Sequence, residues 1–184
     1  MTAHARAVRR YRAVQSAGLG MLLLATDEVP RKVPGAGRLI AGPIVPYDVS
    51  GRPSGYPGLV RFERGALDLE SVAGAPLLLD HDPTRPIGRA TGMIDRPADL
   101  AAAFRVAPTP TGDDALALVA AGVRTGFSVG AVVDAYDLGD EDPATGIPEL
   151  IVTAGHVRET SLLTFPAYAS ARAQLITDPE RATP

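Results

Sequence analysis

The sequence contains no cysteine, which excludes disulfides, thiolate zinc sites and a cysteine nucleophile. Three histidines, His4, His81 and His156, are too few for a histidine-rich metal centre. Lysine is almost missing: Lys32 stands alone while arginine and alanine abound, a bias that reads as the imprint of a GC-rich genome rather than as chemistry. There is no long hydrophobic run either. The longest candidate, residues 17–25, falls well short of the roughly 18–20 apolar residues a membrane span needs. Nor is there a large excess of either charge. A net charge of −3, with 21% charged and 46% apolar residues, excludes a disordered chain and a nucleic-acid binder that relies on a basic surface. What remains is a globular protein of 184 residues, enough for one domain with a proper core.

The amino terminus places Arg6, Arg9, Arg10 and Arg12 ahead of that short apolar run, the outline of a secretory signal. The run is glycine-interrupted, and Leu23-Leu24-Ala25 makes a poor cleavage site; residues 21–25 fit a first buried strand equally well. The division expected is a peripheral basic arm over residues 1–20, a domain over 21–176 and a short tail over 177–184. Beyond Val29 the chain is cut into short pieces by Gly and Pro. RLIAGPIVPY and PLLLDH read as strands, and IGRATGMI and LAAAFRVA as the arms of a hairpin around DRPAD. TGDDALALVAAG, with apolar residues at helical spacing, predicts a helix over residues 113–121, opened at Thr111 and closed by Gly122. FSVGAVVDAYD and LIVTAGHVRETSLLTF are strand-like. Many short strands with few helices predict a mainly β (α+β) fold: a closed or nearly closed antiparallel β-barrel with a few packed helices.

GFSVG, residues 126–130, matches G-x-S-x-G, the motif of a serine on a strand-to-helix turn. Here the order is reversed, helix then Ser128 then strand, and so short a chain with so few helices cannot build the parallel sheet of an α/β-hydrolase. Serine chemistry recurs on other scaffolds, provided a serine, a neutral imidazole and a group orienting the imidazole converge. His81, at the end of an apolar strand, is the better imidazole, set against the plainer reading of a histidine in a surface turn. Its neighbours Asp80 and Asp82 cannot converge with it on one ion from a strand, and Asp-Pro is ordinary turn chemistry. Glu159 shares a strand face with Val157, Ser161 and Leu163, and a partly buried carboxylate there needs a partner. His81, Arg89 and Arg158 are the candidates. Residue chemistry thus yields a candidate Ser128–His81–Glu159 site and leaves a structural ion pair open.

RLIAGPIVPYDVSGR with LVRFERGAL, LLLDHDPTRPIGRAT, GDDALALVAAGVRTGFSVGA and RETSLLTFPAYASARA, in this order and spacing, resemble the prohead (capsid maturation) proteases of tailed bacteriophages. That family's fold is related to the herpesvirus capsid-assembly proteases. The resemblance runs from about Arg38 to Leu175, and departs from the family in a longer basic arm and in Thr160, where an aliphatic residue is common. It implies a serine endopeptidase with Ser128 as nucleophile, His81 as base and Glu159 as the orienting acid, needing no cofactor and no metal. If so, the His81 ring lies within about 3–4 Å of the Ser128 hydroxyl and Glu159 approaches the other ring nitrogen. The substrates implied are the major capsid protein and scaffold, with self-processing, inside the assembling procapsid in the host cytoplasm. A homo-oligomer is left open; nucleic acid and membrane are not expected partners. Two alternatives stand beside this: a catalytically inactive capsid-associated or scaffolding module of the same fold, and a secreted β-rich binding domain.

Overall fold

The computed structural model describes residues 36–176, so the basic arm, the apolar run and the tail lie outside the described residues. The chain is mainly β with few helices. Strand β1 spans Leu39–Pro46, β2 Val60–Phe62, β3 Leu67–Asp68, β4 Pro76–Leu79, β5 Asp82–Asp95, β6 Asp99–Val106, β7 Gly126–Glu141, β8 Pro148–Leu163 and β9 Gln174–Ile176. A single-turn helix α1 covers Leu69–Val72, and α2 covers Pro110–Ala120.

β8 organises the sheet. Along one edge it pairs antiparallel with β7 over most of its length; along the other it takes β2, β3 and β4 in succession, all parallel. From β4 the sheet continues through β5, β6 and β1 to β9. The β5–β6 hairpin lies where alternation predicts it, its turn closed by Arg96, whose backbone N–H and side chain both bond Asp99. The expectation of a closed or nearly closed antiparallel β-barrel is corrected on two points. The sheet is mixed, because three short strands each return to the same edge of β8 in the same direction. It is also open: between its ends runs one bridge, Gly126 with Arg172, flanked by backbone bonds Phe127–Ala171 (2.8 Å) and Ala173–Thr125 (2.9 Å). Pro166 and the bends around residues 167–170 keep that segment from extending into a paired strand.

Helix α2 starts earlier than predicted, with Thr109 rather than Thr111 at its cap. Pro110 is pre-organised for the first helical position, and the Thr109 hydroxyl accepts the Gly112 N–H at 3.1 Å. Gly122 closes it as expected, at φ +69°, with its N–H bonded to Val119 and that of Val123 to Leu118, the paired bonds of a Schellman motif. Gly112, Ala115 and Val119 form the helix's buried stripe. The core beneath the sheet is built from Ile40, Ile44, Leu77, Ile87, Leu100, Phe104, Phe127 and Leu162, all fully buried. Burying each of these side chains stabilises by about 1.5–3 kcal/mol. The rings of Phe104 and Phe127 pack with centroids 5.1 Å apart at a tilt of 42°, tying β6 to the start of β7, the strand that carries Ser128.

Candidate active site

His81 stands in a two-residue turn. Leu79 of β4 pairs directly with Asp82 of β5, so Asp80 and His81 are the whole connection, and both have left-handed backbones, φ +57° and +58°. Positive φ at both positions is what a tight type I′ hairpin demands, and glycine normally supplies the second. Asp and His tolerate this conformation better than most residues but still meet a cost of about 1 kcal/mol. The surrounding bonds offset that cost. Asp80 receives a two-pronged contact from Arg124 (2.7 and 2.8 Å) and a third from Arg85 (3.1 Å), while the other hydrogen on Arg124 Nη1 reaches the Leu162 carbonyl at 2.9 Å. The Arg124 hydrogen bond holds the Asp80 carboxyl below its ordinary range. Asp82 turns the other way, accepting the Thr84 N–H (2.8 Å) and hydroxyl (2.6 Å), which lowers its pKa. Both flanking carboxylates are thus committed elsewhere, and no group of three metal-ligating side chains occurs among the described residues.

The ring of His81 meets Glu159: Nδ1 lies 2.7 Å from Oε1, with the histidine 32% and the glutamate 12% exposed. Arg89 and Arg158, the other partners considered for this carboxylate, make no ion pair with it among the described residues. The Glu159 hydrogen bond raises the His81 pKa above its ordinary 6.5, against a downward pull from burial. An ionised carboxylate only accepts, so Nδ1 carries the proton and Nε2 is the basic nitrogen.

Ser128 approaches from the neighbouring strand. In the β7–β8 register Ser128 faces Ser161 and Gly130 faces Glu159. Directly opposed residues project to the same side, and alternate residues repeat it, so Ser128, Ser161 and Glu159 share one face. Ser128 is 8% exposed. Among the described residues its hydroxyl makes no hydrogen bond, to His81 or to any other group; such bonds are often long until substrate is engaged. The glycines of GFSVG now have a reason unrelated to a nucleophile elbow. A Cβ on Gly130 would stand 2.3 Å from Glu159 Oε1, and one on Gly126 would stand 2.5 Å from the Pro166 ring.

Ser161, to which the sequence reading assigned no role, joins the parts: its Oγ accepts the His81 backbone N–H at 2.9 Å and donates to Glu159 Oε2 at 2.8 Å. The E-x-S spacing on one strand face was the available signal. His156, the other histidine of the domain, bonds Asp134 at 3.1 Å on the exposed part of the β7–β8 ribbon and touches none of these residues. Thr160, on the opposite face of β8, is fully buried, and its hydroxyl has no partner among the described residues. An imidazole oriented by a carboxylate, with a serine on the strand face that carries the carboxylate, is the set of groups that nucleophilic acyl transfer uses.

Residues 61–183, more than half of the chain, match the family model for the caudovirus prohead serine protease, and the chain belongs to that family. It is accordingly a serine protease, of a family that serves capsid maturation. The opening stretch RLIAGPIVPYDVSGR lies upstream of the matched residues. No curated protein matches the sequence. Among solved structures, the chain is similar to Kaposi's sarcoma herpesvirus protease in complex with an allosteric inhibitor, with 14% identity, a TM-score of 0.43, and 77% of this chain and 79% of that chain covered. A second similar structure is the same viral protease in complex with a hexapeptide phosphonate inhibitor, with 12% identity, a TM-score of 0.40, and coverage of 73% and 63% respectively. No helix among the described residues is long and apolar enough to cross a membrane.

Proposed function

We propose that Ser128, His81 and Glu159 are the catalytic groups of this protease, and that it cleaves capsid protein or scaffold within the assembling procapsid, and its own chain. Ser128 Oγ attacks the scissile carbonyl while His81 Nε2 takes the hydroxyl proton. The negative charge that develops on the carbonyl oxygen requires preorganised N–H donors. Collapse of the tetrahedral intermediate breaks the C–N bond, His81 returns the proton to the leaving amine, and an acyl ester remains on Ser128. Water activated by the same imidazole hydrolyses that ester. Glu159 holds Nδ1–H throughout and stabilises the imidazolium. The observation that carries this reading is the 2.7 Å contact between His81 Nδ1 and Glu159 on the face that Ser128 shares.

Co-expression of the chain with its cognate capsid protein tests it. The wild type shortens the capsid protein; Ser128→Ala and His81→Ala do not, with unchanged circular dichroism. Loss of the Ser128 hydroxyl costs little stability, since it makes no hydrogen bond among the described residues. Full processing by Ser128→Ala removes it as the nucleophile.

A further inference from the structure

We infer that Ser161 is a positioning residue, fixing the His81 turn and the Glu159 carboxylate as one unit. This rests on the reading of His81 as the base. Three contacts form a closed circuit: His81 N–H to Ser161 Oγ, Ser161 Oγ–H to Glu159 Oε2, and His81 Nδ1–H to Glu159 Oε1. The direction of every hydrogen follows from the groups. A backbone N–H can only donate and an ionised carboxylate can only accept, so the Ser161 hydroxyl has one orientation left. Both oxygens of Glu159 are thereby held, and its plane is fixed against the imidazole. The same hydroxyl supplies an acceptor for the backbone N–H of a residue kept in the left-handed region, where the turn would otherwise be free to relax and carry the ring away. Ser161 is fully buried and stands opposite Ser128, so it links the serine strand, the acid and the histidine turn without facing a substrate. Of the other charged groups at this turn, Asp80, Arg85 and Arg124 bond one another and Asp82 bonds Thr84, so Glu159 is the ring's hydrogen-bonded ionic partner, while Asp80 adds a smaller upward pull on the ring through space.

The test uses the full chain with Ser161→Ala, Ser161→Cys (close in volume, a weak donor) and Ser161→Thr (hydroxyl kept). Two quantities are read: the NMR titration midpoint of the His81 ring, and kcat and KM on a capsid-derived peptide. Ser161→Ala and Ser161→Cys are expected to bring the His81 midpoint down towards its ordinary value and lower kcat by about 10–10²-fold at unchanged KM. Ser161→Thr recovers both. Repeating the titration in a Ser128→Ala background separates the two readings: continued processing by Ser128→Ala defeats the nucleophile assignment, while the Ser161-dependent shift of His81 still reports on positioning. Wild-type midpoint and kcat in both the Ala and Cys variants overturn the inference, as does a Thr variant as impaired as Ala.

Discussion

On the proposed mechanism, the Glu159 hydrogen bond is the largest influence both on the strength of His81 as a base and on the pH at which it is available. A general base works only when neutral, so kcat/KM should rise with pH through the His81 pKa, which the Glu159 hydrogen bond places above 6.5. Replacing Glu159 by Gln removes the charge that favours imidazolium, and its amide N–H₂ can face Nδ1 and impose the wrong tautomer. Glu159→Gln is therefore expected to move the acidic limb to lower pH and to reduce kcat/KM by roughly 10²–10⁴-fold. A pH–rate profile of the two proteins checks this; an acidic limb that stays in place would uncouple Glu159 from the reaction. Thr160 differs in kind. Its hydroxyl, without a partner among the described residues, sits on the opposite face of the same strand, one residue from a serine bonded to both His81 and Glu159.

At the scale of elements, the site depends on how closely β7 and β8 approach. Gly130 sits opposite Glu159, and the carboxylate occupies the place where a side chain would begin. Gly130→Ala should leave the strand pairing intact, since an extended residue accepts a Cβ, but that Cβ would stand 2.3 Å from Glu159 Oε1, and the carboxylate is expected to shift away from His81. A displacement of about 1 Å at such a contact costs up to about 10²-fold in kcat. Peptide cleavage kinetics and His81 titration on a variant with wild-type circular dichroism measure it; undiminished kcat would show that Glu159 can act from elsewhere. The other element that matters is the β4–β5 turn. Arg124, four residues before Ser128, grips Asp80 and the Leu162 carbonyl at once, so the loop leading into β7 is locked to the turn that presents His81.

Across the whole molecule these contacts set opposing pH limits. The carboxyls of Asp80, Asp82 and Asp142 are all held low: Asp80 by Arg124, Asp82 by Thr84, and Asp142 by Arg52 and the Ala144 N–H, to about 2. Groups with depressed pKa values contribute stability above their unfolded value of 3.8 and lose it as pH falls towards the folded value. His81 is raised, so its contribution is complete below 6.5 and is lost as pH climbs through the folded value. Thermal stability is therefore expected to be greatest between about pH 4 and 6.5, to fall on the acid side, and to decline slightly above it. Calorimetric Tm across that range decides it, and a Tm still rising at pH 8 would contradict the His81 linkage. With His81 as the proposed base, catalysis needs the neutral ring, so activity is expected to peak on the side where the His81–Glu159 pair stabilises the fold least.

Several features of this protein followed from local chemistry alone. Alternation and β-branched runs marked β7 and β8, and the DRPAD turn marked the β5–β6 hairpin. Gly122 ended α2 because only a residue without a Cβ adopts φ +69° freely. His81, Ser128 and Glu159 were recognisable as chemistry-bearing residues in strand and turn settings. What the one-dimensional pattern could not carry was decided by contacts between distant residues. Whether short strands run parallel or antiparallel to β8 depends on where each crossover lands, and the alternation that signals a strand is the same for both. The break in the sheet reflects Pro166 and the bends after it. The choice of His81 over Arg89 or Arg158 as the partner of Glu159 came from a turn 78 residues away in the chain. Gly130 and Ser161 acquire meaning only when β7 lies against β8, because a missing Cβ and a hydroxyl have consequences solely for the neighbours that tertiary structure brings to them.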